Sequence, residues 1–368
     1  MEDSFAEQIV PGTFIRVQAE ALIAPKGVAF GNVGIVGTAA AAAGVTNAIG
    51  VTHILSSLED AQKLYAPSDK LSVGTLNLMR GLSLLFQNGA STVYAHALAT
   101  GANQAAFAAG VAELLKDPVN VLVTPELPTA TAFAVLPSAA STAENNAHDL
   151  MVVIGSDFDT IDQIKTSNGT DQAAADKRVV LCAPGVFAFD ALEGSTGSVV
   201  ALPGRYTSAA VAGLIASLAP QASPTNKVLP GVTQLTQRFS YGELKDLVSS
   251  DVLALESRQG IRVVRGITTE GAAFAQITTR RIVDFAKSGI RQVASPFIGK
   301  LNNERVRKAL QGALDGFLTT MVVDEALIAY SIEVKASRQD EIAGRCVVNV
   351  AMQPVFSIVY IRVSLALS

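Results

Sequence analysis

At 368 residues the chain has room for two domains. Its 49% apolar and only 16% charged residues call for extensive buried surface, part of it between subunits. A net charge of −4 lacks the basic footprint of a nucleic-acid protein, and no uninterrupted run of about 18 apolar residues is present to span a membrane. Cys182 and Cys346 are too few and too distant for a disulfide framework. Both lie in apolar, strand-like runs and read as reduced core cysteines.

The first ten residues are acidic and lack the charged-then-apolar pattern of a signal peptide, so the product is expected to stay where it is made. They read as an arm. Pro11-Gly12 then opens a short strand over Thr13, Phe14, Ile15, Arg16 and Val17, a segment suited to pairing with another chain. Asn32–Gly37 is a buried strand. Its glycines, Gly31, Gly34 and Gly37, do not make the G-x-G-x-x-G dinucleotide fingerprint, and the alanine run Ala39–Ala43 reads as close packing or a loop.

Helices are expected over Ser57–Leu64, Thr75–Phe86 and Ala102–Leu115. Strands are expected over Thr92–Ala97, Val119–Val123, Asp149–Ile154, Val179–Cys182 and Ser198–Leu202. Pro125–Glu144, rich in Ala, Thr, Ser and Pro, reads as a surface loop or insertion, and Asp157–Lys177 as a polar, unpatterned stretch. The alternation of helix and strand predicts an α/β domain.

The last hundred residues are patterned differently. Ala273–Lys287 is a helix with Arg280 and Arg281 set among apolar positions. Asn302 or Asn303 is placed to cap a second helix, in which Val306, Leu310, Ala313, Leu314 and Phe317 share a face. Tyr330–Ala336 alternates like a strand. Cys346–Met352 and Val355–Leu367 are two more β-rich runs. The final run is apolar at nearly every position, so both faces require burial. Left bare on a monomer it would invite aggregation, so its own domain or a neighbour must cover it.

No catalytic or metal constellation stands out. His53, His96 and His148 have no Cys, His or carboxylate at ligand spacing, and His96 reads as a satisfied core or surface residue. No G-x-S-x-G elbow is present. Asp157, Asp159 and Asp162 lack the loop glycine and closing Glu of a calcium loop. Gly155-Ser156-Asp157 and Gly194-Ser195-Thr196-Gly197 read as turns.

The run from Ser295 to Leu367, SPFIGKLNNERVRKALQGALDGFL…PVFSIVYIRVSLAL, resembles the C-terminal domain of contractile tail sheath proteins of phage tails, R-type pyocins and extracellular injection systems. Three other stretches agree in order: PGTFIRV at Pro11–Val17, the small-residue helix and Ala-Pro-Ala-Asn-like turn within Val200–Leu235, and SRQGIRVVRGITT at Ser257–Thr269. One departure is the missing Trp before that turn, where Ala222-Ser223-Pro224 stands instead.

The resemblance implies a mixed α/β and α+β chain with terminal strand-exchange arms. Residues 1–20 would be the N-terminal arm, 21–250 an α/β outer domain and 251–368 the C-terminal core domain. Thr13–Val17 and the tail residues Ile358, Val359, Tyr360, Ile361, Arg362 and Val363 would be exchanged between subunits. Lys300, Arg305, Lys308, Gly312 and Gly316 would face an inner tube. The implied partners are further copies in a helical assembly of stacked hexameric rings, the tube protein, and baseplate and cap proteins, with no nucleic acid, membrane insertion, cofactor or metal. Assembly would be cytoplasmic, followed by incorporation into a tail or tail-like particle. Two other readings remain at this point: an oligomeric α/β enzyme binding a small molecule, and a static shell protein.

Overall fold

The computed structural model describes residues 30–65, 76–169, 178–189 and 199–365. The expected strand Thr13–Val17 lies outside them.

The N-terminal part alternates strand and helix: β1 (Asn32–Thr38), β2 (Thr52–Leu55), α1 (Leu58–Leu64), α2 (Leu78–Gln87), β3 (Thr92–Leu98), α3 (Gln104–Leu114), β4 (Val121–Val123), α4 (Thr129–Asn145), β5 (Met151–Gly155), α5 (Ile161–Gly169) and β6 (Val179–Ala183). A small three-stranded sheet follows, from β7 (Val186–Phe189), β8 (Val199–Leu202) and, after α6 (Gly204–Ser217), β9 (Gln234–Leu235). Then come α7 (Tyr241–Ser249), β10 (Val252–Ser257) and β11 (Ile261–Val263).

The main sheet has eight strands in the order β11-β10-β6-β5-β4-β1-β3-β2. Its centre, from β10 to β3, is parallel, and the edge strands β11 and β2 are antiparallel. Helices cover both faces, which is why its strands are apolar on both sides. Leu82 and Leu85 of α2 and Tyr206 and Ile215 of α6 pack on one face. Phe107 and Leu114 of α3, Leu136 of α4 and Leu247 of α7 pack on the other. The glycines of β1 serve this packing. A Cβ on Gly34 would strike Leu114 and Val119, and one on Gly37 would strike Glu126 and Leu78. Because β10 and β11 belong to this sheet, it runs past the boundary expected at residue 250.

Two stretches expected to be irregular are helical. In α4, Ala132, Leu136, Ala140 and Ala143 are buried on the sheet, and Pro137 is accommodated inside the helix. Packing has overridden weak local propensity there. In α5, Ile164 is the buried anchor.

The C-terminal module comprises α8 (Ile277–Ala294), α9 (Glu304–Val323), β12 (Leu327–Lys335), α10 (Arg338–Ile342) and β13 (Val347–Pro354). Its core joins Ile282, Val283, Ala286 and Ile290 of α8 to Leu310, Leu314, Leu318 and Met321 of α9, with Leu327 and Met352 beneath. Helix α8 begins later than expected because Gly271, at φ 66°, and a 3₁₀ turn at Ala272–Phe274 precede it. Asn303 caps α9 by accepting from the Val306 amide at 3.0 Å.

Candidate assembly surface

β12 and β13 form a two-stranded antiparallel sheet, with Tyr330 opposite Met352 and Val334 opposite Val348. The alternation in the sequence sets its two faces. Tyr330, Ile332, Val334, Val348 and Val350 lie against the module's core, and Ser331, Glu333, Lys335 and Asn349 face solvent. Among the described residues each strand pairs only with the other, so each keeps one edge unpaired. An isolated hairpin of this kind is marginal by itself and a ready template for added strands.

The tail leaves β13 at Pro354. The Val355 amide donates to Ala326 O at 3.1 Å, and the Ser357 amide to Gln276 Oε1 at 3.3 Å. The Arg265 guanidinium lies 5.9 Å from the centre of the Tyr360 ring. Beyond these contacts the run expected to be a strand has no ladder partner among the described residues. Ile358, Ile361, Val363 and Leu365 are 79%, 81%, 74% and 88% exposed. Its own domain therefore does not cover it. Burying each such side chain is worth about 1.5–3 kcal/mol, so the tail has a large apolar surface available to a neighbour.

The outer side of α9 is smooth. Arg305, Lys308, Gly312 and Gly316 are exposed, and a Cβ built on either glycine meets nothing within 4 Å. Lys308 pairs with Glu304 one turn earlier at 2.7 Å, which raises the ammonium pKa and lowers the carboxyl's. Lys300 lies 4.6 Å over the Phe297 ring. The structure thus brings Arg305, Lys308, Gly312 and Gly316 together, with Lys300 in the loop before them.

A buried ionic cluster that sequence reading missed joins this module to the α/β domain. Arg178 sits at its centre, 1% exposed, within 2.7 Å of Glu144 and Asp284 and 2.8 Å of Asp149. Lys287 bridges Glu144 and Asp149 at 2.7 and 2.8 Å, and Arg291 reaches Asp149 at 2.5 Å. Burial pushes the Glu144 and Asp149 carboxyls up, but the surrounding cations outweigh it and hold both well below their ordinary range. Asp284 goes the other way. Burial lifts its carboxyl to about 6 against the pull of Arg178, and its Oδ1 has no hydrogen-bond partner among the described residues. Each member reads alone as a surface charge. The signal available was the stripe Arg280/Arg281, Asp284, Lys287, Arg291 at helical spacing opposite an apolar stripe, which marks a helix buried on two sides.

Cys346 corrects another expectation. Cys182 is buried, whereas Cys346 is exposed just before β13; both are free. His96 is buried, with Nδ1 at 3.1 Å from Thr52 Oγ1. No group of His, Cys, Asp and Glu able to hold a metal ion occurs among the described residues, and no described helix is long and apolar enough to cross a membrane.

Residues 269–367 match the model of the phage tail sheath C-terminal domain. No curated protein matches the chain. Among solved structures, the chain resembles a component of the anti-feeding prophage baseplate, with TM-score 0.74 and 18% identity over 98% of this chain and 99% of that one. It also resembles the contracted helical sheath of the anti-feeding prophage, with TM-score 0.70 and 18% identity over 97% and 99%. The sheath tail protein of Listeria innocua gives TM-score 0.69 and 12% identity over 90% and 94%. The C-terminal module therefore belongs to the phage tail sheath C-terminal domain family, on a chain whose overall fold is that of contractile sheath proteins.

Proposed function

We propose that the chain is the structural subunit of a contractile sheath, which polymerises around an inner tube and contracts to drive the tube through a target envelope. The observation that carries this reading is the pairing of an uncovered apolar tail with a two-stranded sheet whose edges are unpaired among the described residues, inside a domain of the sheath family. A tail added to a neighbour's hairpin gains ladder hydrogen bonds of about 0.5–1.5 kcal/mol each, together with burial of its apolar side chains. Such links hold copies together while the bodies between them rotate. The N-terminal segment Thr13–Val17 supplies a second strand of the same kind.

Contraction is then downhill from an extended state held by a kinetic barrier, and no nucleotide chemistry is needed. The exposed side of α9, with Arg305, Lys308, Gly312 and Gly316, faces the tube. Its contacts are solvent-screened and individually weak, so they can break together. Assembly takes place in the cytoplasm, with baseplate and cap proteins at the ends of the cylinder. The outer α/β domain carries no chemistry in this scheme.

Negative-stain electron microscopy of the purified chain at high concentration tests the reading. Long hollow striated cylinders are expected, and deletion of Ile358–Ser368 should abolish them. Discrete small particles at every concentration, with or without co-expressed tube protein, would overturn it.

A further inference from the structure

The tail changes character at Tyr360. From Val355 to Tyr360 its residues alternate: Val355, Ser357 and Val359 are half-buried, and Phe356, Ile358 and Tyr360 are exposed. That period of two is an extended chain lying with one face on its own body. From Ile361 to Leu365 the alternation stops, and every residue is exposed among the described residues. Two side chains hold the first half. Gln276 Oε1 accepts from the Ser357 amide at 3.3 Å, and the Arg265 guanidinium lies 5.9 Å from the centre of the Tyr360 ring, within range of a cation–π contact. Both come from one bonded junction, where the loop after β11 meets the start of α8. Ile267 forms a β-bridge with Gln276, the Ile277 amide donates to Gly266 O at 3.2 Å, and the Thr268 amide donates to Ala275 O at 2.9 Å. The buried Thr278 hydroxyl donates to Gln276 Oε1 at 3.3 Å and orients that side chain.

We propose that Arg265 and Gln276 are positioning residues for assembly: they keep the tail on its own body as far as Tyr360, and only the run from Ile361 onward is given to a second copy. Ile358, Val359 and Tyr360, expected among the exchanged residues, then stay with the subunit that carries them. A tip that hangs from a fixed point has lost part of its freedom before it meets a neighbour, so less ordering cost falls on the assembly step. A tail free from Val355 onward would have to order its first half as well. In this scheme the two holding contacts persist in the polymer, so weakening them weakens assembly. Were the tail merely parked on its own body, weakening them would strengthen it. That the tip is given to a second copy rests on the sheath reading; where the tail leaves its own body does not.

Nitroxide labels at Ile358→Cys and, separately, at Val363→Cys test the division in the full chain, with Cys346→Ser removing the exposed native thiol. In dilute solution, electron paramagnetic resonance should show the Ile358→Cys label slow and the Val363→Cys label fast. Equal mobility would overturn the proposal. Arg265→Ala should free the Ile358→Cys label. It should also raise the concentration needed for polymerisation, read by light scattering, about two- to fivefold, the worth of one exposed cation–π contact. Tyr360→Leu should do the same, and because that side chain is exposed on the tail it leaves folding untouched. Tyr360→Phe, which keeps the ring, should behave as the native chain in both readouts. Removal of Ile361–Ser368 should abolish polymerisation and leave the Ile358→Cys label slow. Polymerisation unchanged or strengthened in Arg265→Ala and Tyr360→Leu would overturn the proposal, as would polymers from the shortened chain. A native chain that never polymerises would sink the sheath reading and the donation of the tip with it, and the labels would still decide where the tail leaves the body.

Discussion

Arg178 Nη1 lies 2.7 Å from Asp284 Oδ2, and that pair links the main sheet of the α/β domain to α8 of the C-terminal module. The pair is unequal in a useful way. Without Asp284, Arg178 keeps Glu144, Asp149 and the Leu150 carbonyl as acceptors. Asp149, by contrast, serves Arg178, Lys287 and Arg291 at once. Asp149→Asn should therefore cost about 3–5 kcal/mol, the usual result of stranding buried cations, and Asp284→Asn distinctly less. Urea unfolding of the two variants checks the order.

The cluster also sets a pH profile. Glu144 and Asp149 are held below their ordinary values of 4.5 and 3.8, so their stabilisation is present above those values and is lost as pH falls below them. Asp284, raised to about 6, works in the opposite sense. Between pH 6 and 3.8 the folded chain binds a proton that the unfolded chain does not, so stability gains as pH falls through that window. Thermal melts should show a shallow rise from pH 7 to 5 and a steep loss below pH 4. Asp284→Asn should abolish the rise and leave the loss.

Gly312 and Gly316 separate an isolated subunit from an assembled one. Both lie in the interior of α9 with open space around them, so Ala at each should stabilise the monomer by up to about 1 kcal/mol. If that face meets a tube, the added methyl groups should reduce the yield of extended particles. A more stable monomer that assembles with normal yield would place the tube contact elsewhere.

Charge on the same face is uneven. Lys308 is already compensated by Glu304, and no ion pair engages Arg305 among the described residues. Charge reversal at Lys308 is expected to abolish extended sheath around the tube while sparing contracted cylinders, and Arg305→Glu should act at least as strongly. Micrographs of particles co-assembled with tube protein decide this.

In the tail, Ile361→Asp with Val363→Asp should leave the monomer's melting unchanged, because both side chains are exposed. Polymerisation should be lost. Light scattering against concentration measures it.

How much was legible depended on where the information lay. The helix capped by Asn303 could be read because its cap and apolar spacing are local. It runs on to Val323, beyond the expected Phe317, because Leu318 and Met321 find partners in α8. The Ala, Thr, Ser and Pro of α4 carry little periodic signal and so resemble a loop, and what makes the segment helical is the sheet beneath it. The tail shows the reverse: its residues have strand character, but it pairs with no strand among the described residues of its own chain. The ionic cluster stayed hidden because Glu144, Asp149 and Arg178 meet only once the α/β domain has folded, and Asp284, Lys287 and Arg291 reach them only when α8 packs on it.

A subunit that offers a spare strand in one place and, among its described residues, an unpaired sheet edge in another is not self-complementary. Copies joined this way all point in the same direction, and the polymer has two chemically different ends. One end presents empty edges and the other presents unspent strands. Growth rates at the two ends should differ, and a terminator able to stop one end should have no affinity for the other. Finite length is then a property imposed by two distinct capping factors and not by the subunit itself.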